Sequence, residues 1–499
     1  MTTQMDRFQE MRIFTRIVER RSFTLAAEDL QMPRYRIDEE LCRGRLEVVL
    51  PTMPPPAPPV SVLYPQSRQL SPRVRVFVEW IKEVFAQSFR LRAALLVYRE
   101  RTKTIPGAPM KTALCVLACL LCGCAATPSA SVVPDDEVRR LMARENVQGL
   151  ALAVIDRGQV MSVKTYGKRN VERDLPLMPQ TVMYGASLTK AAFAYMLLQL
   201  VDEGKLDLDA PLTALLPQAL PAYDRQPWDF SDLAEDERWR ALTPRILLTH
   251  SSGLANFRWV EPDRKLRFHF DPGTRYAYSG EGFYILQLVV ERGLGLDTGR
   301  EMQRRVFDRF GMRNTSMAWR PDFAANLADG YTLDGRMEPH DERSRPSAAG
   351  SMDTTIEDQA RLWAGVVRGE GLSTASRAMM VKAWLPIGSA SQFPTLTAAP
   401  AIWPQSLAAG LGVVAFVDRS GPAWFKGGHN DSTGNMVLCL ERGQRCVVML
   451  ANDVRAERIY PELARRVLGE TDMPWGWEYG WFKPSGFQSA AQLPTQLPK

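Results

Sequence analysis

Histidine is scarce in this chain. There are four in 499 residues, and no two stand at a spacing that would bring them onto one face of a helix or strand, so no metal site is expected. Long apolar runs are few: residues 110–126 hold about a dozen apolar positions, too few to cross a hydrocarbon core of ~30 Å as a helix. Charge of one sign is also lacking over most of the length. The formal excess of +6 lies entirely in residues 1–109, and from residue 110 onward acids and bases balance, which gives no electrostatic reason to expect a polyanionic partner. Cysteine is unevenly spread. Cys115, Cys119, Cys122 and Cys124 crowd into the apolar run, and Cys42 stands alone upstream. Cys439 and Cys446 bracket a hairpin tip with its turn near Arg442-Gly443, where they either bridge across two strands or remain buried thiols. What is present, 45% hydrophobic and 24% charged residues, is ordinary for a globular chain large enough to bury a substantial core.

Four segments follow from composition: 1–109, 110–132, 133–470 and a Trp/Pro-rich tail at 471–499. In the first, Met11, Ile13, Phe14, Ile17 and Val18 give an amphipathic pattern, and a turn at Arg21-Ser22 leads to a second short helix over 24–30. The two-helix spacing with Ser-Phe-Thr-Leu-Ala-Ala resembles the start of a LysR-type regulator, and residues 46–86 resemble the end of such a regulator's effector domain. The helix that would read bases is missing between them, so the segment is expected to be a non-functional or untranslated remnant, and no nucleic acid is expected as a partner. In the second segment, Met110 and Lys111 precede the apolar run, and Leu121-Cys122-Gly123-Cys124 resembles a bacterial lipobox. Initiation at Met110 would make it a secretory signal with Cys124 lipidated, giving an exported, membrane-anchored lipoprotein facing the periplasm. A short internal anchor or a buried helix is the alternative.

The third segment carries the chemistry. Residues 149–155 and 160–164 read as strands joined by Asp156-Arg157-Gly158-Gln159. An almost uncharged helical run then begins at Ser187, with Lys190 one turn on and on the same face. Lys190 is the one lysine in the chain with a serine three places before it. A buried lysine loses the solvation that favours its charge, so it can stay neutral and take a proton from the neighbouring hydroxyl. Downstream come Leu247-Leu248-Thr249-His250-Ser251-Ser252-Gly253-Leu254, Pro272-Gly273-Thr274 before Tyr276-Ala277-Tyr278-Ser279-Gly280, Ala348-Ala349-Gly350-Ser351-Met352 with Thr354 and Asp358, and Lys426-Gly427-Gly428-His429 with Asn452 beyond. Each fragment alone is weak; their order after a unique Ser-x-x-Lys is specific.

In that combination the chain resembles class C β-lactamases, DD-peptidases and the esterases that share their fold. The resemblance implies an α+β fold: an antiparallel sheet flanked by helices, with a mainly helical subdomain over the cleft. It implies Ser187 as nucleophile with Lys190 and Tyr278 sharing the proton traffic, the two flanking ammonium groups favouring the Tyr278 phenolate. It also implies an oxyanion hole from the Ser187 and His429 N–H groups, a substrate carboxylate attracted by Lys426, and no cofactor. Two departures are visible. Ser279-Gly280 replaces the family's x-Asn after the tyrosine, and Gly427 replaces the hydroxyl residue of Lys-Thr-Gly. Both losses point away from a strong β-lactamase and toward a serine hydrolase acting on a small-molecule or peptidoglycan-like ester or amide. An inactive module that only binds such a ligand, and a DNA-binding regulator acting through residues 1–109, are the rivals. The aromatic run from Met473 reads as packing or as cleft rim.

Overall fold

The computed structural model describes residues 46–48, 63–65, 130–393 and 406–480. The chain divides at residues 122 and 123 into two units. In the first, Leu46–Val48 pairs antiparallel with Leu63–Pro65, Glu47 opposite Tyr64. The apolar run with Cys124, the amphipathic pattern near the start and most of the tail lie outside the described residues.

The second unit is built on one antiparallel sheet. Its strands are β1 (Gly149–Asp156), β2 (Gln159–Asn170), β3 (Leu175–Pro176), β4 (Leu385–Pro386), β5 (Ala408–Ala409), β6 (Val414–Asp418), β7 (Gly421–His429), β8 (Gly434–Leu440) and β9 (Arg445–Ala451), in the spatial order β4-β5-β6-β7-β8-β9-β1-β2-β3. The helices that matter to the site are α1 (Asp135–Glu145), α2 (Leu188–Asp202), α3 (Gly280–Leu288), α4 (Ile356–Arg368), α5 (Tyr460–Leu468) and the single turn α6 (Trp475–Glu478).

Every residue of β1 is buried, because both faces of the sheet are covered and the side chains alternate between them. Leu150, Leu152 and Val154 pack with Val138 and Leu141 of α1 and with Leu463 and Val467 of α5. Ala151, Ala153 and Ile155 face the other way, into one cluster with α2 and with Leu362, Trp363 and Val366 of α4. The small alanines on that face make room for α2, a helix apolar on all sides with thirteen residues buried. At about 25 cal/mol per Å² of apolar surface, a helix with no wet face depends on its neighbours for nearly all of its stability.

The expected hairpins are observed. β1 and β2 turn through Arg157 and Gly158, both with positive φ, although β2 runs on to Asn170 rather than ending near 164. β8 and β9 turn at 441–444, which puts Cys439 directly opposite Cys446, and the two are joined as a disulfide. Asp453 caps a 3-10 turn over Val454–Ile459, and Pro461, which has no N–H to donate, sits in the first turn of α5. The region between α2 and α4 is made of short helices, 3-10 turns and two-residue strands and shares the α2 cluster, so it is part of the same unit and not a separate body.

Candidate active site

The segment leading into α2 presents Ser187 at the tip of a tight turn. Met183–Tyr184 pairs with Asp353–Thr354, and Ala186 then adopts φ 46°, the left-handed region that a Cβ disfavours. The Thr189 hydroxyl donates to the Ala186 carbonyl at 2.6 Å and accepts from Met352 N, which ties the turn to the 349–352 segment. Ser187 remains partly exposed while its neighbours Ala186 and Leu188 are buried.

Lys190 lies one turn into the helix and is 1% exposed. Its Nζ donates to Ser187 Oγ at 3.1 Å and to the Ala349 carbonyl, and sits 5.0 Å from the centre of the Tyr278 ring. Burial, and then the positive charge of Lys426, hold its pKa well below the usual lysine value. Tyr278, just before α3, stacks on His250 with ring centres 4.3 Å apart. His250 Nδ1 accepts the Ser279 N–H at 3.1 Å, and burial followed by the two lysines keeps the imidazole neutral.

Lys426 on β7 donates to the phenolic oxygen of Tyr278 at 3.3 Å and to its own neighbour, the Gly427 carbonyl. The hydroxyl, the two amines and the phenol therefore converge. One electrostatic expectation is corrected. Burial raises the Tyr278 phenol, and the hydrogen bond with Ser187 pulls it down by less. The phenol stays protonated, and burial instead weakens the proton affinity of Lys190.

The glycines of β7 have separate tasks. A Cβ on Gly428 would lie 2.8 Å from Leu188 N and 3.0 Å from both Ser187 N and Gly185 O, so only glycine lets the strand touch the start of α2. Asn430 N–H donates to the Thr433 carbonyl, which makes that pair a hydrogen-bonded one. By the alternation of an antiparallel ladder, the His429 N–H points away from β8. His429 Nδ1 is 3.2 Å from Glu457 Oε1. Burial alone would lower this imidazole, but the Glu457 hydrogen bond and charge more than offset it, and its pKa is raised.

Gly427 faces Glu478 of α6, a residue that the sequence reading missed. Glu478 is 5% exposed, and Gln392 donates to its two oxygens at 2.8 and 3.2 Å. Burial raises its carboxyl to about 7, opposed by Lys426, while burial lowers Lys426 to about 8. A lone glutamate in an aromatic run, 291 positions from the serine, offers no local signal. The run itself is both packing and rim: Trp477 is buried between Tyr276 and Phe425.

The other expected motif residues serve the frame. Asp358 accepts from Asn314 N and the Thr315 hydroxyl, which also meets Thr354. Asn452 bridges the carbonyls of Lys168, Arg169 and Asp329. A polar recess of about 190 Å³ opens beside Tyr184, lined by His340, Arg343, Asn430 and Ser432 among others, and does not include Ser187.

A family model described as Beta-lactamase matches residues 134–470, and one described as LysR substrate binding domain matches residues 30–86. Among curated proteins, the chain is 28% identical over 188 residues to a D-aminopeptidase of Gluconobacter oxydans, covering 36% of this chain and 34% of that protein. It is 30% identical over 201 residues to the lovastatin esterase of Penicillium rubens (33% and 48%), and 28% identical over 230 residues to esterase EstB of Burkholderia gladioli (40% and 56%). The matched part thus spans between about a third and just over half of these relatives. Among solved structures, the D-alanine carboxypeptidase AmpC of Burkholderia cenocepacia superposes with a TM-score of 0.53 at 18% identity, covering 67% of this chain and 97% of that one. The octameric penicillin-binding protein homologue of Pyrococcus abyssi gives 0.52 at 21% identity, covering 66% and 76%. These two likenesses are likenesses of fold.

Proposed function

We propose a function from the premise that the chain belongs to the β-lactamase family: it is a serine hydrolase that cleaves a small-molecule or peptidoglycan-like ester or amide through an acyl-enzyme. The observation that carries this reading is the buried Lys190 amine 3.1 Å from Ser187 Oγ, beside a phenol that also meets Lys426. Neutral Lys190 takes the Ser187 proton as Oγ adds to the substrate carbonyl. The N–H groups of Ser187 and His429 receive the charge that develops on the carbonyl oxygen. Tyr278, protonated and supported by Lys426, passes a proton to the leaving group as the tetrahedral intermediate collapses and recovers one from the Lys190 ammonium, which leaves Lys190 neutral again. A water then repeats the sequence on the acyl-enzyme and frees Ser187. The names of the esterase and D-aminopeptidase relatives support an ester or amide as the bond cleaved.

The test is covalent labelling. A fluorophosphonate should add to Ser187 in the full chain, and p-nitrophenyl acetate should give a burst of nitrophenol. Ser187→Ala should abolish both. A chain that binds acyl ligands yet shows neither label nor burst would be a binding module instead.

For location we propose an exported lipoprotein that starts at Met110 and is lipidated at Cys124. The disulfide between Cys439 and Cys446 supports an oxidising compartment. The intact mass of the mature product, with or without a diacylglycerol on Cys124, tests it.

A further inference from the structure

We propose, resting on that reading of Ser187, that Glu478 is a specificity-determining residue: its carboxylate turns the cleft against acyl substrates that carry a carboxylate beside the scissile bond and toward neutral ones. The argument begins at Gly427. A Cβ on this residue would lie 1.7 Å from Glu478 Oε1, so the oxygen stands where the first atoms of a side chain at position 427 would be. The resemblance leads one to expect a small hydroxyl there; this chain supplies an anion from a segment some fifty positions later.

That anion is held in place. Gln392 donates its side-chain amide to both carboxylate oxygens and its backbone N–H to the Trp477 carbonyl at 2.9 Å. The Trp477 indole donates to Ser389 Oγ, and Tyr479 on the other side is 2% exposed. With both sequence neighbours buried, the carboxylate has little freedom to withdraw. It also acts on Lys426, whose hydrogen-bond acceptors are the Tyr278 hydroxyl and the Gly427 carbonyl. The ammonium that would attract a substrate carboxylate thus already feels an internal one, and an incoming anion meets a like charge one residue away. A neutral acyl group meets neither penalty. Glycine at 427 and glutamate at 478 form a matched pair, because a larger residue at 427 would push the carboxylate out.

The experiment compares p-nitrophenyl butyrate with p-nitrophenyl hemisuccinate, close in size and different in charge, on the full chain at pH 8. The wild type should favour the neutral ester. Glu478→Gln should shrink that preference about tenfold or more, mainly through a lower KM for the hemisuccinate. A preference that stays within about twofold overturns the proposal. Calorimetric binding of butyramide and succinamate to the Ser187→Ala protein, with and without Glu478→Gln, reads the same preference without turnover. Failure of the hydrolase reading would therefore leave this test intact. Should Glu478→Gln not fold, Glu478→Asp draws the charge back by one methylene and should shift the preference in the same direction by less; no shift again overturns it.

Discussion

Replacing Gly428 with alanine tests the oxyanion geometry with one methyl group. The added Cβ would sit 2.8 Å from Leu188 N, 3.0 Å from Ser187 N and 3.0 Å from Gly185 O. All three are backbone atoms, so no rotamer change relieves the contact. Reaching ordinary van der Waals distance requires β7 and the start of α2 to part by roughly half an ångström or more, in a packed interior where such overpacking costs about 1–3 kcal/mol. That movement separates the two N–H groups that must point at one oxygen. Loss of one such donor is worth about 2.7–4 kcal/mol, or a 10²- to 10³-fold fall in kcat. Because the donors bind the oxyanion more strongly than the ground-state carbonyl, KM should change little. Steady-state hydrolysis of p-nitrophenyl butyrate reads both constants, and a thermal melt shows that the variant is folded. A folded Gly428→Ala protein with kcat within about threefold of the wild type would refute the placement of the hole.

Other outcomes follow from the same site. Lys190→Arg puts a permanent cation where the neutral base stood, so kcat should fall by about 10³-fold or more with the fold retained, as steady-state hydrolysis of p-nitrophenyl butyrate would show. Activity should rise with pH through the deprotonation of Lys190, below the ordinary lysine range. Since Lys426 lowers Lys190 by charge repulsion, Lys426→Met should move that rising limb to higher pH, as a pH–rate profile would show. Glu478 at about 7 and Lys426 at about 8 carry a net positive charge below pH 7 and a net negative one above pH 8. The wild-type preference for the neutral ester should therefore sharpen from pH 6 to 9. His429, Glu457, Tyr276, Tyr278 and Tyr479 also face the carboxyl, and of these the imidazole, by losing its charge, moves the balance in the same direction. Replacing Cys439 and Cys446 with alanine should cost about 2–3 kcal/mol in urea unfolding, as expected for a short closed loop. Because the bridge lies at the end of β8 away from Gly434 and His429, kcat should be unaffected.

Much of this site is legible in the sequence because helix and ladder periods are rigid. Three positions on a helix place Lys190 beside Ser187 in any fold that buries the helix, and the turn near Arg442-Gly443 between two apolar runs sets the β8–β9 pairing. The sign of the Tyr278 shift is not legible in this way, since it depends on whether burial or two nearby ammonium groups wins, and burial is a tertiary property. Glu478 is hidden for a related reason. Its importance comes from an empty volume over Gly427, and an absent side chain announces room but not its occupant. The departure at Gly427 reads in sequence as a lost contact, whereas in space it is an exchange of a hydroxyl for a carboxylate.

The helix that carries Ser187 and Lys190 has no wet side, and this has a consequence in time. Such a helix has little reason to form until the sheet beneath it and the short helices around it have closed together. A nascent or half-unfolded chain therefore holds Ser187 without Lys190 fixed beside it, and the pair is assembled only when the whole unit has folded.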